Sequence, residues 1–181
     1  MIRMLSVIVM LMLVSACSSL PESLHTTNEQ VITDYQQWLN LPQEQVREIR
    51  LGGIIAKVSN LSDKTRIEVV NIPISSNGKP SLDSEPSGRF AAYVDGYVES
   101  MAYTEGRLLT LLGVNQGKEV GKVDDFELSF PVMKVTGSHL WRIEETVVVR
   151  DVESHFAPCY GLYCRSYRGL PSKGKVVQEV K

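Results

Sequence analysis

The chain has 181 residues, 43% hydrophobic and 22% charged, with 19 Lys+Arg against 21 Asp+Glu and a net charge of −2. That length suits one domain with a real core. The slightly acidic balance argues against a nucleic-acid partner, since such binders usually show a basic face, and no apolar run approaches the roughly 20 residues a spanning helix needs.

Residues 1–16 have the three-part layout of a secretory signal. Met1-Ile2-Arg3-Met4 carries one positive charge, residues 5–14 are apolar except for Ser6, and Ser15 and Ala16 are small. Val14-Ser15-Ala16-Cys17 resembles the lipobox of bacterial lipoproteins. In that class the cysteine sulfur takes a diacylglyceryl group, cleavage falls just before the cysteine, and the new amine is acylated. Cys17 is therefore the expected lipidation site. An ordinary secretory signal with an incidental cysteine is the alternative. Buried acyl chains contribute about 0.8 kcal/mol per CH2, so several on one residue make a stable anchor. Ser18, where an aspartate would resemble an inner-membrane retention signal, points to the outer membrane. Cleavage removes only Arg3 among the charges, leaving 18 basic against 21 acidic residues and a net charge of −3.

Residues 17–26 are polar, contain Pro21, and read as a lipidated tether. Thr27-Asn28-Glu29-Gln30 fits a capping box. With Val31, Tyr35, Trp38 and Leu39 at helical spacing, it predicts a helix over about 28–39, ended by Asn40-Leu41-Pro42. From Val46 the period changes to broad alternation through Val58, interrupted by Gly52-Gly53. Paired glycines in a strand predict a bulge or sharp bend. A second strand follows over 65–74, rich in β-branched residues, after the turn Asn60-Leu61-Ser62-Asp63. Residues 75–88 form a long polar loop, a length expected only of a functional or mobile segment. Further strands are expected over 90–98, broken at Asp95-Gly96, then 107–114, then 127–135 with Pro131 marking an edge or bulge, then 141–152.

These elements predict a mainly β fold, a small antiparallel OB-like barrel with a leading α-helix and a C-terminal β extension. A long first strand kinked at glycines would serve both halves of a five-stranded barrel. A sandwich is the alternative. The expected organisation is a signal peptide over 1–16, a tether over 17–26 and one domain over 27–181.

Arg50-Leu51-Gly52-Gly53-Ile54-Ile55, Thr65-Arg66-Ile67-Glu68-Val69-Val70 and Glu85-Pro86-Ser87-Gly88-Arg89-Phe90 resemble the Slp family of outer-membrane lipoproteins. Residues 105–113, Glu-Gly-Arg-Leu-Leu-Thr-Leu-Leu-Gly, and His139-Leu140-Trp141 continue the likeness in order. The resemblance covers about 35–141 together with the lipobox, and the segment from Val152 onward departs from it. It implies an outer-membrane location and induction by starvation or stationary phase. It brings no catalytic residue set, and only Cys17 takes a defined chemical role from it.

Cys159 and Cys164 are the remaining cysteines. In an oxidising compartment such a pair usually forms a disulfide, which for so short a loop contributes roughly 2 kcal/mol. Free thiols are the next reading. Zinc binding with His155 lacks an evident fourth ligand. His25 falls in the tether, and His139 near a strand suits a surface or hydrogen-bonding role. No Gly-x-Ser-x-Gly elbow occurs, and neither Ser87 nor Ser138 has a base to activate it. Asp124-Asp125 and Asp83 with Glu85 lack EF-hand spacing. No catalytic residue, metal site or cofactor is therefore expected.

Arg66, Arg89 and Arg107 lie in or at the start of predicted strands. If they converge, they are candidates for binding an anionic headgroup or glycan; otherwise they are ordinary surface arginines. Tyr160, Tyr163 and Tyr167 with Arg165 and Arg168 form an aromatic and basic segment that suits a membrane surface, a partner or the edge of a core. The function expected is a non-enzymatic, lipid-anchored outer-membrane protein facing the periplasm. It would present an interaction surface to an envelope protein or glycan, with no nucleic-acid role. A periplasmic module binding a small ligand, glycan or lipid headgroup is the alternative.

Overall fold

A computed structural model describes residues 19–42, 45–123, 125–149 and 174–181. The readings at Cys17, Asp124, His155, Cys159 and Cys164, and the aromatic and basic segment 160–168, lie outside the described residues. The chain divides into two compact units, Met1–Trp141 and Arg142–Lys181.

The first unit contains a 3-10 turn, Glu22–Leu24, and a short helix α1, Tyr35–Leu39. Its strands are β1 (Glu48–Asn60), β2 (Lys64–Ile72), β3 (Gly88–Asp95), β4 (Leu108–Val123) and β5 (Phe126–Leu140). They close a barrel in the order β1-β2-β3-β5-β4, with β4 returning to β1. The expectation of a small mainly β barrel holds, and the order is compatible with an OB-like fold. The barrel is mixed rather than wholly antiparallel, because β3 and β5 run parallel from Ala91↔Val132 to Tyr93↔Lys134. Arithmetic requires this: strand directions can alternate around a closed ring only if the strand count is even.

Closure depends on β1. It pairs with β4 from Glu48 to Ile54 and with β2 from Gly52 to Asn60, so Gly52, Gly53 and Ile54 are bonded along both edges. The glycine pair therefore sits where the sheet rolls shut. A Cβ on Gly53 would lie 2.0 Å from the Val70 carbonyl oxygen. The register irregularity of β1 falls later, between Ile55 and Lys57.

Alternation along the strands fills the interior with Ile49, Leu51, Ile55, Ile67, Val69, Phe90, Ala92, Leu109, Leu111 and Met133, all nearly or fully buried. Helix α1 adds Tyr35 and Trp38 to this core. Trp38 meets Phe90 edge-on with ring centroids 5.6 Å apart, and its indole N–H donates to Asn115 Oδ1 at 2.9 Å.

The helix is shorter than the sequence pattern predicts. Asp34, not Thr27, is its N-cap and accepts from the Gln37 amide at 2.7 Å. The preceding residues spend their hydrogen bonds otherwise. Thr26 donates to Glu48, Asn28 accepts from the Gln30 amide, and Ile32 forms a parallel bridge to Ile49. Local side-chain bonding and pairing with β1 thus override the capping pattern.

Three further segments differ from expectation. The 3-10 turn lies within the expected tether, packs on β4 and β5, and buries Leu24 completely. The loop after β2 is docked rather than loose: Ile74 bridges Pro80, and the Gly78 carbonyl accepts from the buried Thr110 hydroxyl at 2.6 Å. Strands β4 and β5 extend well past the expected limits, because the ladder passes through an irregularity between Asn115 and Lys118 and continues. Pro131, opposite Lys118, sits at that irregularity, as its missing N–H favours.

The second unit is a two-stranded antiparallel ribbon of β6 (Ile143–Val149) and β7 (Gly174–Val180). Gln178 donates to Glu145 at 2.7 Å and Lys181 to Glu144 at 2.6 Å. It supplies the expected C-terminal β extension.

Two glycines separate the effects of space and of backbone conformation. Gly53→Ala should cost about 3 kcal/mol or more, because backbone must move to admit the methyl. Gly96, at φ +78° with open space around it, ends β3, and Gly96→Ala should cost only about 1 kcal/mol. Urea unfolding midpoints of the two variants check this ordering.

Candidate functional site

Beyond Val114, β4 no longer pairs with β1, and before Val132, β5 does not pair with β3. The two strands continue as a hairpin arm, in register from Lys118↔Pro131 to Val123↔Phe126. Glu119, Gly121 and Val123 share one face of the arm with Phe130, Leu128 and Phe126. Along that face exposure rises from 3% at Phe130 to 46% at Leu128 and 75% at Phe126. The arm is seated on the barrel at its base and exposed at Phe126 near its tip.

The seat is electrostatic. Arg66 on β2 donates through Nε and Nη2 to Glu119 Oε1 at 2.8 and 2.6 Å, and through Nη1 to Glu68 Oε1 at 2.5 Å. Tyr93 on β3 donates to the other Glu119 oxygen at 2.7 Å. Arg89 reaches Glu68 at 3.9 Å. Arg66 and Glu68 are two apart on one strand, so they share a face. Tyr93 and Arg89 join that face because they pair with Arg66 and Val70. Burial opposes the Arg66 charge, but the bonds to Glu68 and Glu119 outweigh it and hold the proton more firmly than in ordinary arginine. Burial, then the bond to Glu119, pushes the Tyr93 phenol up.

Two of the three candidate anion-binding arginines, Arg66 and Arg89, are therefore brought together, around Glu68. Two carboxylates balance their two charges, so the cluster offers an incoming anion no net attraction. Arg107 precedes β4, takes part in no ion pair among the described residues, and keeps its Nε buried without a partner there. The Arg66–Glu68 alternation was visible in the sequence. Glu119 and Tyr93 were not singled out, because their place depends on the register of the arm.

A second polar relay lies on the outer surface of β1 and β4. Trp141 donates from its indole to Thr110 Oγ1 at 2.9 Å, and Thr110 donates to the Gly78 carbonyl. His139 packs edge-on to Trp141 at 4.3 Å, and burial lowers its pKa. Ser138 shares a 3.0 Å bond with the Tyr103 hydroxyl, and His25 bonds the Leu20 carbonyl at 2.8 Å. Among the described residues no group of three His, Cys, Asp or Glu side chains could hold a metal ion. An open groove beside α1 is lined by Gln30, Val31, Ile32, Gln37, Leu41 and Arg47. The filled barrel interior counts against a ligand held inside it.

Comparison with known proteins decides the family. The profile of the outer membrane lipoprotein Slp family matches residues 14–168. The chain belongs to the Slp family of outer-membrane lipoproteins. It is 30% identical over 139 residues to the uncharacterized lipoprotein YeaY of Escherichia coli K12, covering 76% of this chain and 72% of that one. It is 28% identical over 137 residues to the outer membrane protein Slp of the same organism, covering 75% and 72%. A Haemophilus influenzae protein is 34% identical over 101 residues, 55% of each chain. No solved structure matches. Family membership places this Slp chain at the outer membrane and associates it with the bilayer through a lipid anchor.

Two outcomes follow for this Slp-family barrel. Arg66→Ala leaves Glu119 without its arginine and Glu68 with only the more distant Arg89; a double-mutant cycle with Glu119→Ala should give a coupling of about 1–2 kcal/mol by urea unfolding. Tyr35 and Tyr93 both have raised pKa values, mainly from burial. Unfolded phenols ionise first, near pH 10, so stability should fall as pH rises from there through the folded values. Tyr93→Phe should flatten that alkaline decline, measured as unfolding midpoints at pH 9 and above pH 10.

Proposed function

We propose that Cys17 is the lipidated residue and that the mature chain is a non-enzymatic protein of the outer membrane. It faces the periplasm and offers the β4–β5 arm to an envelope protein or glycan. The observation that supports this most directly is the arm itself. Val120 and Phe126 are about three-quarters exposed and Leu128 nearly half, while the barrel interior is filled and the charged cluster beneath the arm is internally balanced. Leu128 and Phe126 share one face of the arm and Val120 lies on the other, and contiguous exposed apolar surface on a projecting element suits an interaction site. No constellation of nucleophile, base and oxyanion donors competes with that reading among the described residues. Induction in starvation or stationary phase, implied by the Slp resemblance, belongs to the same proposal.

Two measurements test it. Globomycin should block processing, and Cys17→Ser should move the protein from the membrane fraction to the soluble one. A photoreactive side chain at Phe126 or Val120 should capture a discrete partner in intact envelopes, and capture should drop when Leu128→Ser is added. Capture that is equal from the arm and from the exposed β1–β2 turn at Asp63 would remove the arm from the proposal.

A further inference from the structure

The way the chain leaves its anchor limits how the barrel can sit on the bilayer. The chain is bound to the barrel from Leu20 onward. Leu20 and Leu24 lie over Gly78, where a Cβ would come within 2.8 Å of Leu20 Cδ1 and 3.3 Å of Leu24 Cδ1. The Leu20 carbonyl bonds His25, the Pro21 carbonyl accepts from the Leu24 amide at 2.9 Å, and the Leu24 carbonyl accepts from Arg50 Nε at 3.1 Å. Leu24 is fully buried.

Only three residue steps separate Leu20 from Cys17. Fully extended, they span at most about 11 Å. The headgroup layer outside the hydrocarbon is itself about 5–8 Å thick on each side. A lipidated Cys17 at the edge of the hydrocarbon thus brings Leu20 to the outer limit of the headgroups. A barrel attached on so short a connection cannot turn its opposite side to the membrane.

The surface around Leu20 is equally well defined. Glu22, Ser23 and His25 are exposed beside it. The turn Ser75-Ser76-Asn77-Gly78-Lys79 adjoins it through Gly78 and is held by its own bonds: the Ser75 amide donates to the Lys79 carbonyl at 2.9 Å and the Gly78 amide to the Ser75 carbonyl at 2.9 Å. Lys79 is half-buried, with Nζ 6.0 Å from the Trp141 ring. Trp141 itself is buried, so it is the part-exposed Lys79 ammonium, on its apolar stem, that suits the polar zone of a bilayer.

We infer that the surface carrying Leu20, Glu22, His25 and the 75–79 turn is the membrane-facing side of the barrel, seated on phospholipid headgroups with Lys79 at the level of their phosphates. This inference rests on Cys17 being the lipidated residue. It makes the barrel an oriented platform rather than a float on a loose tether. The β1–β2 turn is its far end: β1 runs eight residues from Gly52, which touches the Ile74 and Pro80 side chains, to Asn60, up to about 26 Å of strand.

The test uses the full lipidated chain in cell envelopes, with a benzophenone side chain placed at Ser76 or, separately, at Asp63. Ser76 should yield phospholipid adducts at least about five-fold above Asp63, and a ten-residue Gly-Ser insertion after Ser19, adding roughly 17 Å of reach, should erase most of that difference while the protein stays in the membrane fraction. Lys79→Glu should lower the Ser76 adduct yield without releasing the protein. Equal yields at Ser76 and Asp63 in the uninserted chain, with the protein still membrane-bound, would overturn the orientation and leave the anchor intact. Membrane retention of Cys17→Ser would instead overturn the anchoring reading on which the orientation rests.

Discussion

A sheet of five strands becomes a barrel only if the strand that would be one open edge also pairs with the strand at the other. Here that strand is β1, and the doubly bonded stretch is Gly52-Gly53-Ile54. The approach of Gly53 to the Val70 carbonyl leaves no room for a side chain. Everything else depends on this contact. With the ring closed on an odd number of strands, β3 and β5 must run parallel, and alternate residues of each strand turn inward to make the core.

Closure also determines which surfaces the chain can offer. Once the interior is packed, only the outer wall and the projections remain, and much of the wall is covered by the chain's own segments. The 3-10 turn and the loop after β2 cover β1 and β4 near Thr110. The base of the arm covers β2 and β3 through Glu119 and Phe130. OB-like folds often bind ligands on the outer surface of strands 2 and 3 and in the loops beside it. Here the outer surface of β2 and β3 carries Arg66, Glu68 and Tyr93, bonded to one another and to Glu119 of the arm. The same four residues fasten the arm, so charge that could have recruited a ligand instead holds a structural element.

Most strands were legible in the sequence because β-branched residues alternate there and turn residues separate them. Gly52-Gly53 was legible as the special point of the first strand. The helix was overextended because Thr27 to Gln30 satisfies a local pattern that pairing of Ile32 with Ile49 defeats. The arm was missed because Asn115 to Gly121 has the composition of a turn, and only the pairing partner shows that it is strand. The packed Leu24 was missed because it is one apolar residue in a polar stretch, with no periodicity to announce it. The arginines were visible as residues, but Glu119 lies 53 positions from Arg66, and no local signal joins them. Family membership carried the location, which periodicity alone could not supply.

The Trp38–Asn115 bond has a consequence for how the protein is made. The two residues are 77 positions apart, and β1 and β4 are separated by a similar stretch of chain. Chains dominated by such distant contacts fold slowly, because long loops must close before any contact forms. The chain is synthesised from its N-terminus. Trp38, Ile49 and Leu51 therefore emerge long before Leu109, Leu111 and Asn115 arrive to enclose them. Until then the incomplete chain leaves its future core uncovered, as an open sheet edge and a bare indole. That interval, rather than the finished barrel, is when the chain is most open to misassembly.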